Sequence, residues 1–504
     1  MAAFNRRFDI SQGGGMDADV QYLESLGYKQ QLSRVMGIWS NFALGFTYLS
    51  PLVGIYSLFA YALATGGGAV IWAIPLVVVG QAMVVLVFGE VASQYPIAGG
   101  IYQWARRLGG RGYGWFTGWV YTWALLATVA AVAYGSAGYV AALFGTTATT
   151  GFTIGIAIAM VAIAAVINLF GAQLLSKAAT VGLVAEFCGG LLVGLYLLFF
   201  HHRQPISAIF HHQGAGGSHY TSAFLAAGLM AIWIFFGFEA CGDVAEEVKD
   251  PGRRVPRAML MTLGMGGLVS FLLTLGLILA VPNLPAVIGG QDADPATTIL
   301  NASFGTVAAK LVLLLIVLGF LSCTLAIQAA AVRTLFSQGR DGVLPGSSWL
   351  ARVSPRFHMA PAAVVVAFVI PGVIVLVSWI STDALTKIIA FATVGIYVGF
   401  QLVVLAALRA RTSGWRPAGP FTLGQWATAV NVLGLAYGVG AIVNLVWPRT
   451  PGTPWYDNYI VLVSLLVVAA VGAIYGLAFR PYEHGTAPAG DAVPSVGEPE
   501  LAGS

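Results

Sequence analysis

Charge is what this 504-residue chain has least of: 9% of its residues are Asp, Glu, Lys or Arg, against 58% hydrophobic ones. A water-soluble domain carries about 25% charged residues, so a soluble globular fold is excluded. Cysteine is scarce too. Cys188, Cys241 and Cys323 lie in apolar runs without metal-ligand spacing, so they read as small buried hydrophobes and imply neither a disulfide framework nor a metal site. No HExxH, GxSxG or Walker pattern occurs, which leaves no basis for an enzyme, and no cofactor is expected. The net charge of +4 warrants no nucleic-acid reading. The opening MAAFNRRFDISQGGGMDADV has no apolar core of the kind a cleaved signal peptide needs.

Long apolar runs are abundant. About 20 residues cross a hydrocarbon core, and twelve segments reach that scale: 36–64, 69–93, 113–143, 152–171, 177–200, 221–246, 257–281, 306–337, 361–381, 384–408, 421–447 and 458–480. Basic residues support both the count and the direction. Of the 24 Lys and Arg residues, all but Arg203, Lys310, Lys387 and Arg449 fall on the side shared by the two termini. That bias predicts cytoplasmic N- and C-termini and an all-α polytopic protein of the plasma (inner) membrane, in contact with lipid. Residues 1–35 form a polar cytoplasmic segment, in which VQYLESLGYKQQL has the pattern of a short interfacial helix. Residues 481–504, rich in Pro, Gly and acids, are expected to be a disordered cytoplasmic tail. The loop His201–His219 holds five of the seven histidines but no acids or cysteines, so a solvated, weakly structured extracellular loop is expected ahead of a zinc site.

Two spans are interrupted. In the first, GFTYLSPLVGIY (Gly45 to Tyr56), Pro51 removes a backbone donor while Gly45, Ser50 and Gly54 loosen the helix. In the sixth, FFGFEACG (Phe235 to Gly242) carries Gly237, Gly242 and the acid Glu239, with Asp243 just after. An acid at bilayer depth costs about 2.5 to 3.5 kcal/mol on insertion scales, and a buried polar site is the usual compensation. The interruptions fall at corresponding places if helices one to five and six to ten form two structural halves. Such a pair marks the midplane site of a transporter built from inverted repeats. Half-helix N-termini suit an anionic group, and freed carbonyls suit an ammonium or a coupling cation. Phe46, Tyr48 and Tyr56 flank one break, and Trp233, Phe235, Phe236 and Phe238 the other, where aromatic rings can stack on a cation or act as gates.

Three further stretches carry a resemblance. GEVASQYPIAGGIYQWARR (Gly89 to Arg107), FFGFEACGDVAEEVKDPGRRVPRA (Phe235 to Ala258) and SQGRDGVLP (Ser337 to Pro345) resemble signature segments of the amino acid, polyamine and organocation permease superfamily. The segment LESLGYKQQLSRVMGIWSNFALGFTYLSP resembles its amino acid/choline branch. The resemblance spans about residues 23 to 408 and implies a twelve-helix fold, with a five-plus-five inverted-repeat core over 36–408 and two appended helices over 409–480. It implies a substrate site at Ser50, Leu52, Val53 and Gly54 in the first break and at Trp233, Phe236, Gly237 and Glu239 in the second. Trp233 and Phe235 would gate it, and Gln328 and Tyr397 are further pocket candidates.

The family's Gly-Ser-Gly reads Leu52-Val53-Gly54 here and Pro51 has no amide, which fits a substrate whose anionic group is absent or placed differently. Glu186 occupies the place where some proton-coupled members carry a lysine between helices one, five and eight, so it is expected to couple H⁺ or Na⁺. The function implied is proton-coupled import of an amino acid or small organic amine by alternating access. The alternatives are Na⁺-coupled or exchange-type transport of choline, ethanolamine, 4-aminobutyrate or polyamine, and a non-transporting amine sensor on the same fold. The charges after the sixth span (Glu246, Glu247, Lys249, Asp250, Arg253, Arg254) and after the second (Arg106, Arg107) read as solvated anchors that could also form an inner gate.

Overall fold

Four α-helices among the described residues of the computed structural model begin at a proline: Pro51–Gly66, Pro251–Ala280, Pro295–Arg340 and Pro361–Val377. Proline costs nothing there, because the first N–H groups of a helix have no intrahelical partner. Other starts are capped by side chains, as where Thr149 accepts from the Phe152 amide at 3.3 Å. The structure describes residues 16–356, 358–380, 384–449, 452–485 and 487–492. Residues 1–15 of the expected N-terminal segment and 493–504 of the expected tail lie outside them.

Among the described residues the regular secondary structure is helical apart from one parallel bridge between Met36 and Val248. Ten helical segments are long and apolar enough to cross a membrane: Ile38–Gly66, Gly68–Gln94, Arg111–Phe144, Thr150–Leu169, Ala172–Phe200, Pro251–Ala280, Pro295–Arg340, Ala384–Thr412, Gly424–Val446 and Ile460–Phe479. The chain is therefore a multi-pass membrane protein. Of the other two expected spans, one forms the shorter apolar helix Pro361–Val377. The other is not a continuous helix; it breaks into Tyr220–Ala227, Leu229–Ile234 and Ala240–Asp243. The 46-residue Pro295–Arg340 is itself two helices joined at Gly305 (φ 70°), so the span expected from 306 begins at that kink.

The helices sort into two packed groups. Ile38–Leu49, Pro51–Gly66, Ala73–Gln94, Pro251–Ala280 and the pieces of the broken sixth segment lie against one another. Arg111–Gly135, Thr150–Leu169, Pro295–Arg340 and Pro361–Val377 form the other group, and Pro295–Arg340, Ala172–Glu186 and Ala384–Thr412 touch both. Ile460–Phe479 is peripheral, seated by Gly472 and Gly476 on Trp119 and Trp115.

Two expectations about loops need correcting. The histidine loop is exposed over most of its length, as expected, but it is not weakly structured, being docked around the buried Ala208 and Ile209: Trp72 Nε1 donates to the Ile209 carbonyl at 2.9 Å and the Gly68 amide to Gln213 at 3.0 Å. The approach is possible because a Cβ at Gly67 or Gly68 would stand 2.3 Å from the His212 carbonyl oxygen or 2.2 Å from that of Ala208. Nor is the start of the tail free. Arg106 donates to the Ala487 carbonyl at 2.8 Å, Gly490 N–H to the Arg106 carbonyl at 3.0 Å, and Asp491 pairs with Arg107 at 2.6 Å.

The two interrupted helices run antiparallel and nearly touch. A Cβ at Gly45 would lie 2.5 Å from Cys241 Sγ, one at Gly237 2.6 Å from the Leu49 nitrogen, and one at Gly54 2.4 Å from Ile234 Cγ1. Rising numbers along one helix meet falling numbers along the other. Gly237 also has φ +113°, outside the range L side chains adopt. Gly237→Ala is expected to destabilise the protein by at least about 1 to 3 kcal/mol, read as a lowered unfolding temperature in detergent. Gly264→Ala, at a helical glycine with nothing within 4 Å, should be neutral or slightly stabilising.

Candidate substrate site between two broken helices

At the first break Ile38–Leu49 stops because Ser50 turns left-handed (φ 44°, ψ 82°) ahead of Pro51. Each backbone donor at the start of the next half-helix has a partner. Pro51 has none to place, the Leu52 amide donates to Glu186 Oε2 at 3.1 Å, the Val53 amide to Ser50 Oγ at 3.1 Å, and the Gly54 amide to the Ser50 carbonyl at 2.9 Å. Ser50 Oγ in turn donates to the Glu186 carboxylate. Glu186 ends the helix Ala172–Glu186, where the chain widens into a π-helical turn, Phe187–Leu192, of a kind frequent at functional sites. Gly189 and Gly319 make room for the Leu52 side chain: a Cβ on either would lie 2.7 or 2.9 Å from it. Glu186 thus sits where the first broken helix meets Ala172–Glu186 and Pro295–Arg340.

At the second break the Glu239 carboxylate folds back onto its own chain, accepting from the Gly237 amide at 2.7 Å. Its other oxygen accepts from the Tyr121 hydroxyl at 3.3 Å, and that hydroxyl stands 3.3 Å from Asp243 Oδ2 as well. Asp243 Oδ1 is buried with no hydrogen-bond partner among the described residues. Aromatic rings close over this end. Phe236 meets Trp233 edge-on at 5.3 Å and Tyr48 edge-on at 6.2 Å, Phe235 is wholly buried, and Trp233 is 4% exposed. The Tyr397 hydroxyl reaches the Ile232 carbonyl at 3.4 Å and the Tyr437 hydroxyl at 3.1 Å.

The structure thus gathers Ser50, Leu52, Val53 and Gly54 with Glu186, and Trp233, Phe235, Phe236, Gly237 and Glu239 with Tyr397. Gln328 stands apart. Its amide binds the Val161 and Ala367 carbonyls at 3.3 and 3.1 Å and accepts from Asn168 at 3.1 Å, which ties scaffold helices together. Tyr121 went unforeseen, since nothing in its Trp- and Tyr-rich helix marks it out. Asp243 was visible as an acid at depth, but its link to Glu239 was not.

Comparison with known proteins decides the family, for residues 36–471 match the amino acid permease family model. The chain belongs to the amino acid permease family. The chain is similar to the amino-acid permease BAT1 homolog of Oryza sativa subsp. japonica, 27% identical over 455 residues that cover 84% of this chain and 86% of the relative. It is also similar to amino-acid permease 2 of Neurospora crassa (26% over 486 residues, 92% and 87%) and to the GABA-specific permease of Saccharomyces cerevisiae (25% over 500 residues, 93% and 86%). The protein is a secondary transporter of an amino acid or small amine, not an enzyme.

On the side of the described termini this permease carries a buried polar lock. Arg333 holds Glu247 through two hydrogen bonds of 2.8 and 3.1 Å, and Arg340 holds Glu246 in the same way. Asp341 accepts from Arg106 at 2.5 Å, Tyr102 at 2.8 Å, Gln103 at 2.9 Å and Tyr28 at 3.0 Å. The Arg340 guanidinium also stacks over the Tyr28 ring at 4.1 Å. Backbone bonds from Met36 to the Glu247 carbonyl (2.8 Å) and from Lys249 to the Met36 carbonyl (3.0 Å) tie the starts of two segments together. Arg106, Arg107, Glu246 and Glu247 are therefore not solvated anchors; only Lys249 and Arg253 of that set are exposed. Desolvated charges persist only with full sets of partners, and removing one partner costs about 3 to 5 kcal/mol. Arg333→Ala is expected to lower the unfolding temperature more than the double change Arg333→Ala with Glu247→Ala, which leaves no orphaned charge.

Proposed function

We propose that this permease imports an amino acid or small organic amine across the plasma membrane by alternating access, driven by an inward proton gradient. Twelve spans, both termini cytoplasmic, are arranged as a five-plus-five inverted-repeat core over 36–408 with two appended helices over 409–480. The observation that carries this reading is the antiparallel contact of two broken helices at Leu49 and Gly237, each break with an acid folded into it. Helices broken at depth are tolerated where they line a cavity or lie buried in protein, and a matched pair is how midplane transport sites are built.

In this reading Ser50, Leu52, Val53 and Gly54 form one wall of the site, and Trp233, Phe236, Gly237 and Glu239 the other, with Tyr397 behind. Trp233 and Phe235 gate one side, and the lock of Arg106, Arg333, Arg340, Glu246, Glu247 and Asp341 closes the cytoplasmic side. Substrate release to the cytoplasm requires that lock to part. Glu186 is the coupling group, because it is the acid that bridges the first broken helix to its neighbours through Ser50 and Leu52. Protonated, it is a neutral donor; ionised, it competes for the same backbone donors, so the proton it carries biases the break between two arrangements.

Uptake by whole cells or proteoliposomes should rise as the outside is acidified and collapse with an uncoupler. In Glu186→Gln the pH dependence should disappear while the purified protein stays folded. Pulling against this reading would be uptake of unchanged pH dependence in that variant; uptake that needs Na⁺ and ignores pH would assign the coupling to sodium instead.

A further inference from the structure

The two breaks hold an unusual balance of charge for a site meant to take a zwitterion. Three acids, Glu186, Glu239 and Asp243, are fully buried at or beside the breaks, and none forms an ion pair with a described residue. The nearby Arg333 is already engaged by Glu247 and the Ala329 carbonyl. At the first break the backbone donors that would receive a substrate carboxylate are also taken. Pro51 offers none, Leu52 N–H goes to Glu186, Val53 N–H to Ser50 Oγ and Gly54 N–H to the Ser50 carbonyl. In the second break Gly237 N–H goes to Glu239. Each break therefore carries its own carboxylate in the place where an anionic ligand would bind. Unpartnered there are the hydroxyls of Tyr48 and Tyr56 and one carboxylate acceptor, Asp243 Oδ1, buried and one hydroxyl away from Glu239 through Tyr121.

We propose that the substrate is an organic cation with no carboxylate, its ammonium group taken by Glu239 and, through Tyr121, by Asp243, beneath the rings of Trp233, Phe236 and Tyr48. This inference rests on the reading of the two breaks as the substrate site. A carboxylate brought there would face three acids, with the nearby Arg333 already engaged elsewhere, so like charges would be buried together. An ammonium instead completes the lone acceptor and meets aromatic faces.

Two matched pairs of probes isolate the carboxylate. 1,4-Diaminobutane and 4-aminobutyrate share a four-carbon chain, and choline and glycine betaine share a trimethylammonium head; within each pair one member has a carboxylate and the other does not. Thermal unfolding of the full-length, detergent-purified chain is followed as each probe is titrated. At least one carboxylate-free member is expected to stabilise the protein, with its carboxylated partner needing about a hundredfold higher concentration for the same shift. An equal or stronger effect of the carboxylated partner overturns the proposal, as does the absence of any shift with all four. Glu239→Gln is expected to abolish the shift, and Asp243→Asn, a milder change, to weaken it if the first variant does not fold. A carboxylated ligand whose shift is lost in these variants would leave the site standing and refute the substrate class. A carboxylate-free ligand that stabilises both variants as well as the parent would place recognition outside the two breaks and refute the site.

Discussion

A helix interrupted inside a membrane strands backbone donors where no water can meet them, and the arrangement of this protein follows from how those donors are met. At the first break the partner comes from another helix, as Glu186 reaches the Leu52 amide and Ser50 hydroxyl. At the second it comes from the same chain two residues on, as Glu239 reaches the Gly237 amide. Both solutions put a carboxylate at depth, which is costly unless that carboxylate is itself bonded. The breaks and the acids thus stabilise each other, and a change to either exposes the other.

Glycine makes the second requirement possible, that the two breaks approach one another. Gly45, Gly54 and Gly237 remove the side chains that would otherwise separate the antiparallel pair, and Gly189 and Gly319 do the same around Leu52. Close backbone approach of this kind is the usual means of packing helices in lipid, where apolar side chains gain little from leaving their surroundings. Gly237 adds a conformation that no other residue adopts readily.

The lock is physically continuous with the second break. Glu239, Asp243, Glu246 and Glu247 lie on one run of short helical turns, so only eight residues separate Glu239 from Glu247, and Glu246 and Glu247 pair with Arg340 and Arg333. The N-terminal segment is part of the same assembly through Tyr28, Gln30 and Met36, and residues 487–492 reach it through Arg106 and Arg107. Bidentate arginine pairs of this sort fix geometry as well as adding energy.

Much of this was legible in the chain itself, for reasons that are local. Apolar length predicted where spans lie, Pro51 and Gly237 predicted where two of them fail, and Glu186, Glu239 and Asp243 announced polar business at depth, because hydropathy, ring closure and a missing Cβ act within a turn of the residue that carries them. The docking of the histidine loop at Ile209, the burial of the charged helix ends and the bonds of Gln328 to Val161, Ala367 and Asn168 were not legible. Arg106 finds Asp341 across 235 positions and Ser50 finds Glu186 across 136. Partners so distant are chosen by which helices pack side by side, and a string of apolar spans that all prefer lipid carries no local record of that choice; only the tertiary structure makes it, by setting Asp341 beside Arg106 and Glu186 beside Ser50 and the Leu52 amide.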